Sequence, residues 1–576
     1  MKKKLVTGML AASMIAALTA CGGSTSNTAS TQQDTAAASA ASTAAAEAAT
    51  GSTEAAEAET QEIPVHDAAY TEVAHSATKK HDKIQIAMDV NPGNLSPEAV
   101  SDSGGALWKW NVYEHLFDIN GFGGELVPAT AEKYEKIDDT TYRVYLYKGV
   151  TDSDGNELHA DDVIAAYDTL VAAGNRMSGD IAKYDHGEVV DDYTVDLVMK
   201  EPLTGLSDLT SILGQPYVYT QQAAKDHNLS TDPCGTGPYK VTDFQAGSSI
   251  TEEARDDYWA EGTDHQSQRE CANVQTIEYK VVSEAAQNAI GLQTGDLDFS
   301  SYVSATDIAN FKEGGSYADN FFIDTYLDNL TTALFINNDA SKSQGADENL
   351  RAAIYYALDG TQLAQASGVA DFVRASTLGN AKYPEFQEAW LTDNNYYNVQ
   401  DLELAQQYLS KSSYDGSTLT IIMNNEQTMT NVATAIQAML ENIGIHTELD
   451  AEDGSIIDSK QVNGDYDLIL TQMASDNYLP IIWQRWYSED FHSVSHTINN
   501  CDDPQIQTLV DTVNTVDGDT PENVSAFHDY IIQNYYGYGL YSKVDNNVVT
   551  NEIVTPCWNY QDYIVPGGCI YSDNEF

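Results

Sequence analysis

A break in composition near residue 82 decides which part of this chain can fold. From Gly22 to about His81 the sequence is Ala, Ser, Thr, Gly, Gln and Glu with hardly an aromatic, as in Thr35 to Glu59. Such a stretch buries too little apolar surface to offset its ordering entropy, so residues 21–82 are expected to be a disordered linker. As a flexible coil it would have an r.m.s. reach of roughly 40 Å. The remaining ~495 residues have globular composition and are too many for one hydrophobic core, so two or three domains are expected. Across all 576 residues, 87 Asp and Glu oppose 28 Lys and Arg, a formal net charge of −59. That balance disfavours nucleic acid as a partner. An anionic membrane surface would repel it as well, so membrane residence needs a covalent or hydrophobic anchor.

The N-terminus supplies such an anchor. Residues 1–20 combine a basic start (Lys2, Lys3, Lys4), an apolar run from Leu5 to Ala17 and small residues before Cys21, the pattern of a secretory signal too short to span a bilayer. Leu18-Thr19-Ala20-Cys21-Gly22 resembles the lipobox of bacterial lipoproteins, which implies diacylation of Cys21 as the first mature residue. Two acyl chains meet the requirement for stable anchoring that one chain does not. The expected location is therefore the extracytoplasmic face of the cell membrane, lipid-anchored.

Beyond Lys83 the pattern turns to mixed α/β. Ile84-Gln85-Ile86-Ala87-Met88 alternates like a half-buried strand, Thr141 to Tyr147 does so more clearly, and Asp154-Gly155 is a turn signal. Asp161-Asp162 is expected to cap an amphipathic helix with Val163, Ile164, Tyr167 and Leu170 on one face.

These residues also carry a family likeness. Leu126-Val127-Pro128-Ala129, Thr141 to Val144, Lys148-Gly149-Val150, Asp154-Gly155 and Asp162-Val163 look like the signature of the family 5 extracellular solute-binding proteins, the peptide, oligopeptide and nickel binders of ABC transporters. Gly235-Thr236-Gly237-Pro238-Tyr239, Asp257-Tyr258-Trp259, Leu292 to Asp298, Phe335-Ile336-Asn337, Leu350 to Asp359, Gly464 to Leu468 and Val565-Pro566-Gly567-Gly568 keep the family order. The resemblance implies an α/β, two-lobed periplasmic-binding-protein-like fold with an extra subdomain inserted in lobe I. By landmark, lobe I holds 83–122, 215–325 and 540–576, the insert 123–214 and lobe II 326–539. It further implies a protein that catalyses nothing, needs no cofactor, closes around a short peptide and delivers it to ABC permease subunits. A sugar oligomer or a nickel chelate in the same fold is the alternative.

Carried over by position, the ligand-binding segment is Leu470 to Pro480. Asp476 falls on the family's acid for the peptide α-ammonium, with Met473 and Ala474 before it; a loop acid or a cap for the next helix is the lesser reading of Asp476. Met473 stands where a tryptophan is common, and Leu479 where an Asp is. Tyr302 occupies a strand-end region that pairs with ligand backbone in relatives. Trp108, Trp483 and Trp486 are candidate ligand walls or, as aromatics often are, core.

Five cysteines remain after Cys21. Proximity suggests Cys234 with Cys271 and Cys557 with Cys569, leaving Cys501. Asp152, Asp154 and Asn156 mimic the start of a calcium loop, but Glu157 stands where Gly is needed. His492 and His496 have metal-compatible spacing only on a helix, with no third ligand nearby, so no metal site is assigned. No Gly-x-Ser-x-Gly elbow, His-Glu-x-x-His, Cys-x-x-Cys or Walker loop occurs, so an enzyme has no residue set to stand on.

Overall fold

A computed structural model describes residues 66, 73–99, 106–369, 371–375, 378–392, 400–474, 478–488 and 503–576. The signal, Cys21, Asp476, His492, His496 and Cys501 lie outside them.

Alternation in the sequence becomes a sheet whose two faces are both covered. In the strand Thr331–Ile336, Ala333 and Phe335 enter one core while Leu334 and Ile336 enter another on the opposite face. The strand Leu468–Met473 does the same, with Ile469 and Met473 on one side and Leu468 and Leu470 on the other. Successive side chains of a strand point to opposite faces, so a strand with apolar residues on both faces belongs between two covering layers.

The strands assemble into one twelve-stranded sheet made of two halves. In the first, His81–Met88 lies parallel to both Val274–Val281 and Phe299–Ser300. The hairpin of Tyr239–Gln245 and Ser249–Ala254 extends the edge. In the second, Leu468–Met473 runs antiparallel to Thr331–Ile336 and parallel to Leu419–Asn424, which is itself parallel to Thr447–Glu452 across the helix Gln427–Asn442. The halves are the two lobes, and the long strand Tyr538–Thr550 belongs to both. Its first part pairs with Thr331–Ile336 and Asp371–Arg374, its second with Phe321–Leu327 and Phe299–Ser300.

A separate four-stranded antiparallel sheet, in the order Ala131–Lys136, Thr141–Leu146, Thr194–Met199, Tyr184–Asp191, carries its own core with the helix Ala160–Ala173. Val163, Tyr167 and Leu170 are buried as the periodicity requires, while Ile164 is only half-buried. The cap differs from the expectation: His159 is the N-cap and Asp162 sits three residues in, its carboxylate accepting from the His159 N–H at 2.8 Å. The acid closes a capping box instead of starting the helix.

The linker also ends sooner than composition suggests. Val73 bridges to Ser267, the Ala77 N–H donates to the Asn273 side chain at 2.8 Å, and Lys79 pairs with Glu575, so residues 73–82 are part of the fold. Short polar residues with few aromatics look unstructured, yet backbone pairing to an existing edge needs no apolar side chain.

Gly235-Thr236-Gly237-Pro238 leads into the strand Tyr239–Gln245, and its glycines have a steric reason. A Cβ on Gly235 would collide with the Val112 carbonyl, and one on Gly237 with that of Asn111. The short helix Lys109–Val112 can pack there only because both side chains are absent.

All four described cysteines are buried free thiols, which corrects both proposed pairings. Cys234 takes a hydrogen bond from the Ser153 hydroxyl at 3.3 Å, and Cys271 donates to Ser267 in its own turn. Cys557 and Cys569 are neighbours, linked by an N–H to sulfur hydrogen bond of 3.3 Å instead of a covalent bond.

Candidate functional site: a cleft between the lobes

The strands of the first lobe end at a common rim. Met88 leads to Asp89 and Ser300 leads to Ser301 and Tyr302, while in the second lobe Met473 leads to Ala474. Carboxyl ends of parallel strands are where open α/β sheets place ligands, because the connecting turns there diverge. A cleft of about 730 Å³ occupies this position. Asp89 and Tyr302 contribute from lobe I, Val369, Thr428 and Ala474 from lobe II, and Tyr326 from the strand that leads from one to the other.

Its floor is the crossover between lobes. Asp328, in the turn joining Phe321–Leu327 to Thr331–Ile336, faces Lys543 of the shared strand at 3.1 Å, and Asp545 faces the same ammonium at 3.1 Å. Burial works against the Lys543 charge, and the two carboxylates outweigh it, so its pKa is raised. Burial pushes the Asp545 carboxyl up to about 6 despite Lys543 beside it. Four carboxylates (Asp89, Asp328, Asp545, Asp562) line the cleft against Lys543, with Lys382 pairing Asp562 from behind, so the charged lining stays net acidic and favours cationic groups.

At one end, Asp562 and Tyr326 meet two other parts of the chain. Lys382 of the second lobe is ion-paired to Asp562 and stands over the Phe122 ring at 4.6 Å. His66 reaches in from the N-terminal segment. Its Nδ1 lies 3.0 Å from Asp562 and its Nε2 2.8 Å from Asp324. The ring stacks on Trp558 at 4.1 Å. Composition alone gave no sign that a residue of the linker would sit here.

On the far side of the lobes, Leu206 donates to the Asn514 carbonyl and Val516 to that of Thr204, a bridge from beside the small sheet to lobe II. The helix Leu479–Tyr487 begins nearby, its Leu479 N–H held by Glu385 at 3.0 Å.

Of the residues singled out from sequence, Tyr302 and Ala474 line the cleft. The rest that are described do not. Trp108 is fully buried in the core of lobe I. Met473 lies one residue before the rim and points into the core of lobe II. Trp483 is fully buried, donates from Nε1 to the Leu378 carbonyl at 3.1 Å and stacks on Phe527 at 4.6 Å. Trp486 stacks on Phe335 at 5.1 Å. A satisfied indole N–H inside an aromatic layer marks packing. Asp328, Lys543 and Asp545 were missed because a charged trio at a strand crossover has no local signature.

The rims of the sheet's two halves face one another across this cleft, the arrangement of a two-lobed binding protein. The chain matches the family model described as Bacterial extracellular solute-binding proteins, family 5 Middle, over residues 125–490, and it belongs to that family. It is 30% identical over 231 residues to the dipeptide-binding protein of Escherichia coli, a match that spans 36% of this chain and 42% of that protein. A crystal structure of a putative peptide binding protein, AppA from Clostridium difficile, superposes with a TM-score of 0.71 at 18% identity, covering 85% of this chain and 100% of the other. NikA from Brucella suis, in complex with Fe(III)-EDTA, gives 0.69 at 20% identity over 85% and 100%.

Proposed function

We propose that this protein captures short peptides in the cleft between its lobes and passes them to the permease of an ABC importer, held at the membrane by lipid on Cys21. The observation that carries the ligand class is the charge of the cleft. A peptide brings a free α-ammonium, and a wall whose carboxylates outnumber the lysines paired to them accommodates it. Asp476, outside the described residues but two positions after Ala474, is assigned as its direct partner, while the backbone near Tyr302 and Ala474 pairs with the peptide main chain irrespective of sequence. The likeness to the dipeptide-binding protein supports the same reading.

The likeness to NikA favours a metal chelate as the second reading. An anionic chelate would meet the same carboxylates unfavourably, which ranks it below the peptide. A thermal-shift series separates the two. Di- to oligopeptides should raise the melting temperature with concentration, N-acetylated peptides should fail to do so, and Asp476→Asn should weaken binding at least tenfold. Stabilisation by chelates or sugars, with indifference to free peptides, would overturn the assignment. Replacing Cys21 with Ala should release the protein from the membrane fraction.

A further inference from the structure

Away from the cleft, three turns converge on one point. Asp154 lies in the turn after Thr141–Leu146, His227 at the end of the helix Gln221–Asp226, and Cys234 just before the glycines that seat Lys109–Val112. One ligand-type atom from each, a carboxylate oxygen, an imidazole nitrogen and the sulfur, all lie within 4.8 Å of one another. His227 Nε2 is 2.8 Å from Asp154 Oδ2, and its Nδ1 is 2.8 Å from Asp232 Oδ2.

We propose that Asp154, His227 and Cys234 form a binding site for a divalent cation of the zinc class, with Asp232 orienting the imidazole from behind. The donor set is the argument. Thiolate with imidazole selects zinc over calcium or magnesium, which take oxygen ligands. A histidine whose other nitrogen meets a carboxylate has the second partner that metal-bound histidines almost always show. The hydrogen bond between His227 and Asp154 puts a proton where the cation would sit. Metal replaces that proton and the one on sulfur, releasing both to solvent. Until then burial pushes the Cys234 thiol up to about 11, so it stays protonated and unreactive.

The frame is rigid before any metal arrives. The Asp152 carboxylate takes the backbone N–H groups of Asp154 and Asn156, each at 2.9 Å. The buried Arg255 guanidinium donates to the carbonyls of Asp152 and Gly237 at 2.7 and 3.0 Å. Ser153 N–H reaches the Gly235 carbonyl at 3.0 Å, lacing the two loops together. The Ser153 hydroxyl already points at the sulfur. Cys234 is buried while about half of the Asp154 side chain is exposed, so the cluster opens to solvent on its carboxylate side. A cation here fastens the turn after the small sheet's second strand to lobe I.

The test uses the purified full chain, stripped with a chelator, loaded with Zn²⁺ and dialysed. One equivalent should remain, and X-ray absorption should show a single sulfur scatterer at about 2.3 Å. With Co²⁺ in place of Zn²⁺, a thiolate charge-transfer band should appear in the near ultraviolet and vanish in Cys234→Ser. His227→Gln should abolish retention, and Asp232→Asn should weaken it by about 10- to 100-fold. Loss of the metal on dialysis, a sulfur-free coordination shell, or a band that survives Cys234→Ser would each overturn the site. The absorption measurement needs no variant, so misfolding of a mutant cannot decide the outcome.

Discussion

A carboxyl group buried with no cation beside it is accommodated most cheaply by keeping its proton, and among the described residues Glu385 is in that position. Burial, with Asp519 adding to it, pushes its carboxyl from the ordinary 4.5 up to about 7. The folded state therefore holds a proton that the unfolded chain gives up between these values. The stabilisation is complete below about 4.5 and is lost as pH rises through about 7. Glu385→Gln keeps a carbonyl oxygen for the Leu479 N–H and removes the ionisation. The variant should be more stable than the parent at pH 8 by ~1–2 kcal/mol, allowing for partial exposure, and flatter in melting temperature from pH 5 to 8. Equal pH profiles would refute this. At this scale the sequence was only partly informative. Tyr302 and Ala474 could be placed through family register, but Trp108, Trp483 and Trp486 could not be sorted into wall or core. An indole looks the same in either setting until its N–H partner is known. His227 and Cys234 escaped notice as a pair because the residues that matter to each are separated in sequence from Asp154 by more than seventy positions.

Elements were more legible. Strands at His81–Met88 and Thr141–Leu146 announce themselves by alternation, and the helix at Ala160–Ala173 by its buried stripe. The errors fall at the ends, where one hydrogen bond decides the boundary. His159 displaced Asp161 as the cap, and the fold reached back to Val73 through hydrogen bonds and without apolar packing to announce it. The two glycines before Tyr239 show the opposite case, a motif readable as a turn whose real constraint is contact with a distant helix. Gly237→Ala presses a methyl group onto the Asn111 backbone, which has no side-chain freedom with which to yield. A loss of ~1–3 kcal/mol should appear as a lower denaturant midpoint with unchanged slope. A neutral substitution would mean that the helix Lys109–Val112 can move.

For the whole molecule, the two-lobed plan came from the order of family landmarks; periodicity and composition gave only α/β and more than one core. Neither could show how the lobes touch. Lys382 meets Asp562 across them, nearly without solvent, and an ammonium there can regain water if the lobes part. Asp562→Asn should therefore shift the ligand-free protein toward an open state, seen as a larger radius of gyration by small-angle scattering, with the parent dimension restored by saturating peptide. An unchanged radius would show that the backbone bridge at Gly205 and Thr515 suffices to hold the lobes together.

Strand Tyr538–Thr550 gives ladder partners to four other strands, and these come from both lobes. Neither half of the sheet can finish its hydrogen bonding until the ribosome has passed residue 550. Until then Thr331–Ile336 and Phe299–Ser300 each keep an open edge. The two halves therefore close together, when one late strand reaches both.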